Sequence, residues 1–302
     1  MLASVSVTPA IIVHGGAGDI EDARRARCIA GCEAAAAAGW ARLDAGGSAL
    51  DAVEAAVRAL EDDAEFNAGY GAVLTRAGTV EVDACVMTAE RGAPAIGAVA
   101  AVPWLRHPVT LARRVLEDGE HVLLAGDGAL VFAREHGIAA EPGEALVSPR
   151  ARARFERHEG EAKKRMRTGD TVGACAIDAA GRVAAATSTG GIPWKRPGRV
   201  GDTPLPGAGT WVEAGVGAAS ATGHGESIIR ALMTRVAMER LRAGASPDEA
   251  ARAAVAELLR VGGDGGVILV AADGRIAHHT STARMPWATI VGGARQSGAE
   301  PT

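Results

Sequence analysis

Thr171 stands where chemistry could start: it follows Gly169-Asp170 and heads the small, β-branched run Val172-Gly173-Ala174-Cys175-Ala176-Ile177-Asp178. A Thr hydroxyl is a poor nucleophile and needs a base beside it, and one such base is the residue's own α-amino group once the preceding peptide bond is broken. An α-amino group titrates near ~7.7 to 8.0, so a useful fraction is neutral at physiological pH, whereas Lys at ~10.4 would need a large shift. Three later clusters carry matching chemistry: Thr187-Ser188-Thr189-Gly190-Gly191, Arg199-Val200-Gly201-Asp202 and Thr222-Gly223-His224-Gly225. The Arg199 guanidinium is a planar fork for a carboxylate and Asp202 suits an ammonium. Taken singly each feature is ordinary. Thr171, Thr189 and Thr222 read as strand residues, Arg199 and Asp202 as a surface ion pair, and Gly223 and Gly225 as a turn.

The elements that must position these residues follow from periodicity. Ala10-Ile11-Ile12-Val13 reads as a buried strand delivering the glycine loop His14-Gly15-Gly16-Ala17-Gly18-Asp19. That loop lacks the Lys-Ser/Thr of a P-loop and the spacing of a dinucleotide fingerprint, so a tight turn packed against another backbone is the better reading. A helix is expected from about Glu21 to Ala45 and a second after the Ser48 cap, with Asp51 completing a capping box. The acidic stretch from Leu60 to Gly71 follows; its carbonyls and Glu61 could hold a hard cation, although a solvated turn is the default. Strands are expected at Thr79 to Met87, Ile96 to Val102 and His121 to Leu124, with a helix near Thr110 to Glu117 and turns at His107-Pro108 and Asp127-Gly128. His107, His121 and His136 read as surface or packing residues.

From Pro142 to Arg167 the composition turns basic, with Arg150, Arg152, Arg154, Arg157, Lys163, Lys164, Arg165 and Arg167 set against Glu156, Glu159 and Glu161. A solvated, mobile connector is expected there, placed where a cut can be accommodated. Beyond Thr171 the order is strand, Ala180-Gly181 turn, strand Val183 to Thr187, a glycine-rich stretch, strand Ala218 to Thr222 and a helix from Ser227 to Arg242. Ser246-Pro247-Asp248-Glu249 opens a further helix, and Gly266 to Ala271 with Ile276 to Thr280 forms a hairpin. No linker separates the halves, so one α/β domain with a sheet core and outer helices is expected.

Composition limits the alternatives. The 302 residues are 48% hydrophobic, ample for a large core, while 40 glycines and only 3% aromatics predict backbones packed closely on small side chains. A net charge of -4 leaves no footprint for nucleic acid or an anionic membrane, and no apolar run approaches a membrane span. The N-terminus Met1-Leu2-Ala3-Ser4-Val5 lacks the pattern of a secretory signal. Cys28, Cys32, Cys85 and Cys175 form neither zinc-like pairs nor a disulfide framework, so a cytoplasmic location is expected. Cys28 and Cys32 lie one helical turn apart and read as small packing residues.

With Thr171, Thr189, Arg199, Asp202 and Thr222-Gly223 together, and with His14-Gly15-Gly16-Ala17-Gly18 and Phe66-Asn67-Ala68-Gly69-Tyr70-Gly71 upstream, the sequence resembles the isoaspartyl peptidase and plant-type L-asparaginase family of N-terminal nucleophile hydrolases. The likeness covers nearly the whole chain apart from the connector. It implies a four-layer αββα sandwich, and self-cleavage of one catalytic domain into residues 1–170 and 171–302. The implied activity is hydrolysis of isoaspartyl (β-aspartyl) dipeptides and of L-asparagine to L-aspartate and ammonia. By motif position Thr171 is the nucleophile, Thr189 its hydroxyl partner, and Thr222 with Gly223 the oxyanion hole. Arg199, Asp202 and Gly225 bind substrate; Asn67, Gly15 and Gly16 shape the site. No catalytic cofactor is implied, but Leu60, Glu61, Phe66, Ala68 and Tyr70 fall where the family holds a structural sodium ion, mainly through main-chain oxygens. The implied assembly is a dimer of α/β heterodimers, with no nucleic-acid or membrane partner.

This sequence departs from the family pattern at Asp170, where other members have Gly, at His224, where some have Thr, and by a residue inserted before Met285. Two rival readings stand beside it. One is a glycosylasparaginase-like hydrolase, which the missing secretory signal disfavours; the other is an uncleaved ligand- or nucleotide-binding module using the glycine loop.

Overall fold

A computed structural model describes residues 7–89, 92–141, 143–160 and 170–300, without the side chains of 158–160. Gly169, Pro142, the N-terminal Met1 to Val5 and the basic residues Lys163, Lys164, Arg165 and Arg167, with Glu161, lie outside the described residues, as does the Glu159 side chain.

The chain begins with β1 (Ala10–His14), then α1 (Asp22–Asp44) and α2 (Ala49–Asp62). Ser48 caps α2 through the expected reciprocal box with Asp51. Next come β2 (Glu81–Ala89), β3 (Ala95–Pro103), α3 (Pro108–Asp118), β4 (Leu123–Ala125), α4 (Gly126–Glu135) and α5 (Pro149–Gly160). The second half runs β5 (Val172–Ile177), β6 (Val183–Thr189), β7 (Thr210–Glu213), β8 (Gly217–Gly223), α6 (Gly225–Ala231), α7 (Met233–Arg242), α8 (Pro247–Arg260), β9 (Gly265–Ala271), β10 (Ile276–Thr280), β11 (Trp287–Val291) and β12 (Ala294–Gly298).

Eight strands form one sheet in the order β12-β11-β1-β5-β6-β2-β3-β4, and four form a second in the order β10-β9-β8-β7. All pairings are antiparallel except β3 with β4. Because strand side chains alternate, each sheet presents two faces, and the apolar residues sort into three buried layers accordingly. Ile11, Val13, Val172, Ala174 and Ala186 face α1, α2 and α3. Ile12, Cys175, Ile177, Ala185 and Met87 meet Val212, Ala218, Ile268 and Val270 between the sheets. Ala219, Ala221, Val267 and Leu269 face α6, α7 and α8. The resulting order, helix, sheet, sheet, helix, is the expected four-layer sandwich. Strands buried on both faces explain why β5, β1 up to Val13 and β6 up to Ala186 read as apolar runs.

Three local expectations change. Asp127-Gly128 lies inside α4 rather than in a turn, since residue 126 is where the helix starts. The expected helix from Ser227 to Arg242 is two helices, α6 and α7, separated at Leu232, whose left-handed φ of 49° breaks the spiral. Within the connector, residues 149–160 form α5, with Ala151 buried and the Arg154 side chain only 12% exposed. One face of α5 is thus packed against the body, while Pro149, Ala153, Glu156 and Arg157 are exposed.

Small residues set the layer spacing. A methyl on Gly97 would lie 2.0 Å from the Ala112 carbonyl oxygen and 2.5 Å from the Leu116 amide nitrogen, so α3 rests on β3 backbone to backbone. Overpacking of this kind costs about 1 to 3 kcal/mol where the obstacle is main chain. Gly97→Ala is expected to lower the unfolding free energy by about that amount, read as a reduced urea midpoint at unchanged slope; an unchanged midpoint would show that α3 can move away freely.

Candidate functional site

Between the two sheets the apolar layer gives way to hydroxyls at one end. In register, His14 of β1 lies opposite Gly173 of β5, which lies opposite Thr187 of β6. One pleat further on, Asp83 of β2 lies opposite Thr189 of β6, and Thr171 stands just ahead of β5 on the other side of Thr189. Period-2 alternation therefore puts Thr171 and Thr189 on the same face as Cys175 and Ala185, two steps beyond the apolar contacts.

Thr171 is only 4% exposed, and its Oγ1 donates to Thr189 Oγ1 at 3.2 Å. Thr189 Oγ1 also accepts from the Gly191 amide at 2.9 Å, so its lone pairs are occupied and its position is set by its own turn. Across the gap, buried Thr222 at the end of β8 accepts the Ala17 amide at 3.2 Å, which leaves its own O–H proton to donate elsewhere. Gly223 follows with φ of 140°, a conformation suited to glycine, and a methyl there would meet the Asp264 carbonyl oxygen at 2.4 Å.

The glycine loop holds the residue before Thr171. Gly16 has φ of 108°, and a methyl on it would lie 2.8 Å from Asp170 Cα, so main chain passes over main chain at that point. The loop's amides are committed to the protein: Gly15 to the Pro286 oxygen at 2.9 Å, Gly18 to the Arg284 oxygen at 3.0 Å, and Ala17 to Thr222. That spends three of the donors a phosphate cradle would need, which weighs against the nucleotide-binding reading of the loop. It also gives the segment around the residue inserted before Met285 a task, since Arg284 and Pro286 carry the loop. Asp170 itself pairs with Arg154 of α5 at 3.4 Å.

Asn67, buried after the acidic stretch, fixes the Thr189 turn from behind. Its Nδ2 donates to the Gly191 oxygen at 2.6 Å, its Oδ1 accepts the Val73 amide at 2.9 Å, and its carbonyl accepts the Gly190 amide at 2.9 Å.

Arg199 and Asp202 lie together, each 2.8 Å from where a methyl on Gly225 would project, which is why position 225 has none. They do not pair with one another. Arg199 Nε and Nη2 donate to the Glu226 carboxylate at 3.1 and 3.0 Å, while Asp202 is buried and its Oδ2 finds no hydrogen-bond partner among the described residues. Burial pushes the Asp202 carboxyl up to about 7, against the opposing pull of its own backbone amide and Arg199. Beside Glu226, His224 Nδ1 shares a 2.8 Å hydrogen bond with Ser227 Oγ. Because a methyl on Gly191 would lie 3.1 Å from Arg199 Nη1, the contacts close into a ring: Thr171, Thr189, Gly191, Arg199, Gly225, Thr222, Ala17, Gly16, Asp170. The structure thus brings together the predicted residues from both halves.

Three groups at this ring escaped the sequence reading. Asp83 accepts the Ala101 amide at 2.7 Å across an irregularity in the β2–β3 ladder, and the Gly201 amide at 3.4 Å. Lys195, also buried, donates to the Glu81 carbonyl at 2.9 Å, and burial lowers its pKa against the pull of Asp83 and Glu81. Glu226, one residue past Gly225, is the third. Asp83 stands at a strand irregularity and Glu226 at a helix start, while Lys195 stands in the loop after β6 with no local signal.

In the acidic stretch, Glu61 differs from expectation. Its carboxylate is fully buried and taken by Ser188 Oγ at 2.7 Å, the Val109 amide at 3.1 Å and His107 at 3.3 Å. Burial raises its pKa while His107 and Ser188 pull it down. It ties α2 to α3 and β6, so this carboxylate is committed to the protein. His107 is accordingly a packing residue, His136 bonds the Phe132 carbonyl at 2.9 Å, and His121 is exposed. All four cysteines are free and buried, and no metal-holding group of His, Cys, Asp or Glu exists among the described residues. Among those residues no helix is long and apolar enough to cross a membrane.

A protein-family profile described as Asparaginase matches residues 7–298. The chain belongs to this asparaginase family. Isoaspartyl peptidase/L-asparaginase of Homo sapiens is 44% identical over 302 residues, covering 98% of this chain and 97% of the human one. The protein of that name from Xenopus laevis is 44% identical over 286 residues, covering 93% and 92%. The Danio rerio protein is 42% identical over 285 residues, covering 93% and 91%. The asparaginase match spans both sheets and every residue of the ring.

Within this asparaginase chain Asn67 is the test of how the ring is held. Asn67→Ala strands a buried carbonyl and a buried amide, each costing about 1 to 3 kcal/mol. The expected result is a loss of about 2 to 4 kcal/mol in chemical denaturation; a loss under 0.5 kcal/mol would mean that the Thr189 turn stands without it.

Proposed function

We propose that this protein is an isoaspartyl peptidase and L-asparaginase that uses Thr171 as an N-terminal nucleophile after self-cleavage. The observation that carries the reading is the buried Thr171 hydroxyl, 3.2 Å from Thr189 and one residue from Asp170, in a ring that also holds Arg199 and an unpartnered Asp202 carboxylate oxygen. The curated relatives' names support the substrate class.

In maturation, Thr171 Oγ1 attacks the Asp170 carbonyl carbon and the Asp170–Thr171 C–N bond breaks, leaving an ester to Oγ1 and a free α-amino group. Water hydrolyses the ester, giving residues 1–170 and 171–302. The glycine loop pressing on Asp170 and the Arg154–Asp170 pair support a held scissile bond. In turnover the neutral amine takes the hydroxyl proton while Oγ1 attacks the side-chain carbonyl of the substrate. The Thr222 hydroxyl and the Gly223 amide stabilise the oxyanion, worth about 3 to 4 kcal/mol per donor in such sites. The leaving amine, an amino acid or ammonia, departs with a proton, and water releases aspartate from the ester. Arg199 receives the substrate α-carboxylate and Asp202 its α-ammonium, with Gly225 leaving room for both.

The chemistry calls on no cofactor. A structural sodium ion would be held by carbonyls of Leu60, Glu61, Phe66, Ala68 and Tyr70. The Glu61 and Phe66 oxygens crowd Gly69 and Gly71, at 2.5 and 1.9 Å from where methyls there would project, and this neutral all-oxygen donor set suits a hard cation. Four free buried thiols support a reducing cytoplasm. The expected assembly is a dimer of two-chain units.

Thr171→Ala is expected to abolish hydrolysis of β-Asp-Leu and of L-asparagine; turnover within tenfold of the parent would contradict the assignment. Arg199→Ala should reduce kcat/KM for β-Asp-Leu by about 10- to 100-fold, the worth of a charge-assisted pair, and leave self-cleavage on a denaturing gel intact. Equal loss of both would show that Arg199 serves folding instead. Since Asp202 must be charged to meet an ammonium and sits near 7 when the site is empty, KM should rise as pH falls below about 7. Asp202→Asn should hold a high KM at every pH, and a parent KM flat from pH 6 to 8 would contradict the role.

A further inference from the structure

His14 is a buried side chain that the chemistry above leaves unused. It ends β1, lies directly opposite Gly173, and has no exposure. Its Nε2 is 3.0 Å from Ser220 Oγ of the second sheet. Ser220 Oγ is 2.8 Å from Thr187 Oγ1, and Thr210 Oγ1 donates to Thr187 Oγ1 at 2.6 Å. A row of hydroxyls thus crosses from β7 and β8 to β6 and finishes on the imidazole, one pleat beneath the nucleophile. The row exists because position 173 has no side chain: a methyl there would lie 2.0 Å from Ser220 Oγ and 2.5 Å from His14 Nε2.

The other ring nitrogen gives the row a direction. Nδ1 is buried and finds no hydrogen-bond partner among the described residues, while the Thr171 main chain, diagonal to His14 across the β1–β5 pair, opposes the effect of burial on the ring. Burial lowers the ring's pKa to about 3, so it is a neutral imidazole with one donor and one acceptor. With the Ser220 hydroxyl donating to Nε2, the proton belongs on Nδ1, where it is available to the neighbouring Thr171 main chain. Thr171 needs such a tether, because the β5–β6 ladder begins only at Val172 and the β1–β5 ladder at Gly173. A new chain terminus outside the ladders frays unless something ties it down, and a base carried on that terminus must keep its place relative to its own hydroxyl.

We propose that His14 is a positioning residue for the N-terminal nucleophile, its imidazole oriented by the Ser220–Thr187–Thr210 hydroxyl row and holding the Thr171 main chain so that amine and hydroxyl stay aligned. This rests on Thr171 being the nucleophile.

The test uses His14→Asn, whose amide falls near the Nδ1 position, and His14→Gln, whose amide falls near Nε2. Each is assayed on β-Asp-Leu with kcat normalised to the cleaved fraction on a denaturing gel. The expected result is a split: His14→Gln loses at least 30-fold in kcat at a KM within threefold of the parent, while His14→Asn stays within fivefold in kcat. Failure of His14→Gln to cleave while His14→Asn cleaves supports the same role. Equal activity of the two, or a change carried by KM, overturns it. If both variants unfold on heating below the assay temperature, Ser220→Ala decides: it frees the ring and should lower kcat about 3- to 10-fold at constant KM, and a parental kcat overturns the proposal. Should Thr171→Ala remain active, the nucleophile assignment itself fails, a result separable from all of these.

Discussion

The hydrogen bond between the Thr171 and Thr189 hydroxyls can form only because two strand ends meet at the open end of a sandwich filled with small residues. At the other end the layer between the sheets is closed by Ile12, Ile177, Met87 and Val270. Toward the site, Gly173, Thr187 and Ser220 replace bulk with hydroxyls, and Thr171, Thr189 and Thr222 follow one pleat on. Alternation does the placing. Once the apolar residues of β5, β6 and β8 commit to the central layer, the threonines two and four steps away must face the same space. Everything that holds the hydroxyl pair acts through backbone: the Asn67 bonds behind the Thr189 turn, the Gly16 crossing over Asp170, and the Arg284 and Pro286 carbonyls that carry the glycine loop.

Charge in the site is arranged for exchange rather than for rest. Arg199 spends two donors on Glu226, which keeps a largely desolvated guanidinium paired. Asp202 has one oxygen unsatisfied, and burial raises its carboxyl to about 7. Under the proposed function the two would differ in what substrate does for them: Arg199 would exchange a partner and Asp202 would acquire one. Lys195 and Asp83, buried nearby, are tied to main chain, Lys195 to the Glu81 carbonyl and Asp83 to the Ala101 and Gly201 amides, rather than to the ring's hydroxyls.

Much of this was legible from residue types. The capping box at Ser48, the helix start at Ser246, the strand runs and the glycine loop needed only local rules, and both capped helices begin where those residues place them. Thr171, Thr189, Arg199, Asp202 and Thr222 stood out through the family resemblance that their motifs carry together, not by anything local. What escaped depends on the third dimension. Leu232 takes a left-handed conformation that its sequence neighbours do not demand, so one expected helix is two. Glu61 resembles a solvated acid until α3 packs beside it and supplies the Val109 amide. The basic composition of residues 149–157 suggested solvent, yet Arg150 bonds the Glu65 carbonyl and Arg154 reaches Asp170, because long side chains can bury their stems while their charges find partners. Glu226 is a further case, hidden beside a glycine whose own role was already legible.

The most direct measurement is the intact mass and amino-terminal residue of the purified protein after prolonged incubation. Self-processing at the residue that carries the hydroxyl requires two chains, 1–170 and 171–302, the second beginning with an unblocked Thr171. A single chain of full mass that nevertheless hydrolyses β-aspartyl peptides, or a second chain beginning at any other residue, would contradict it.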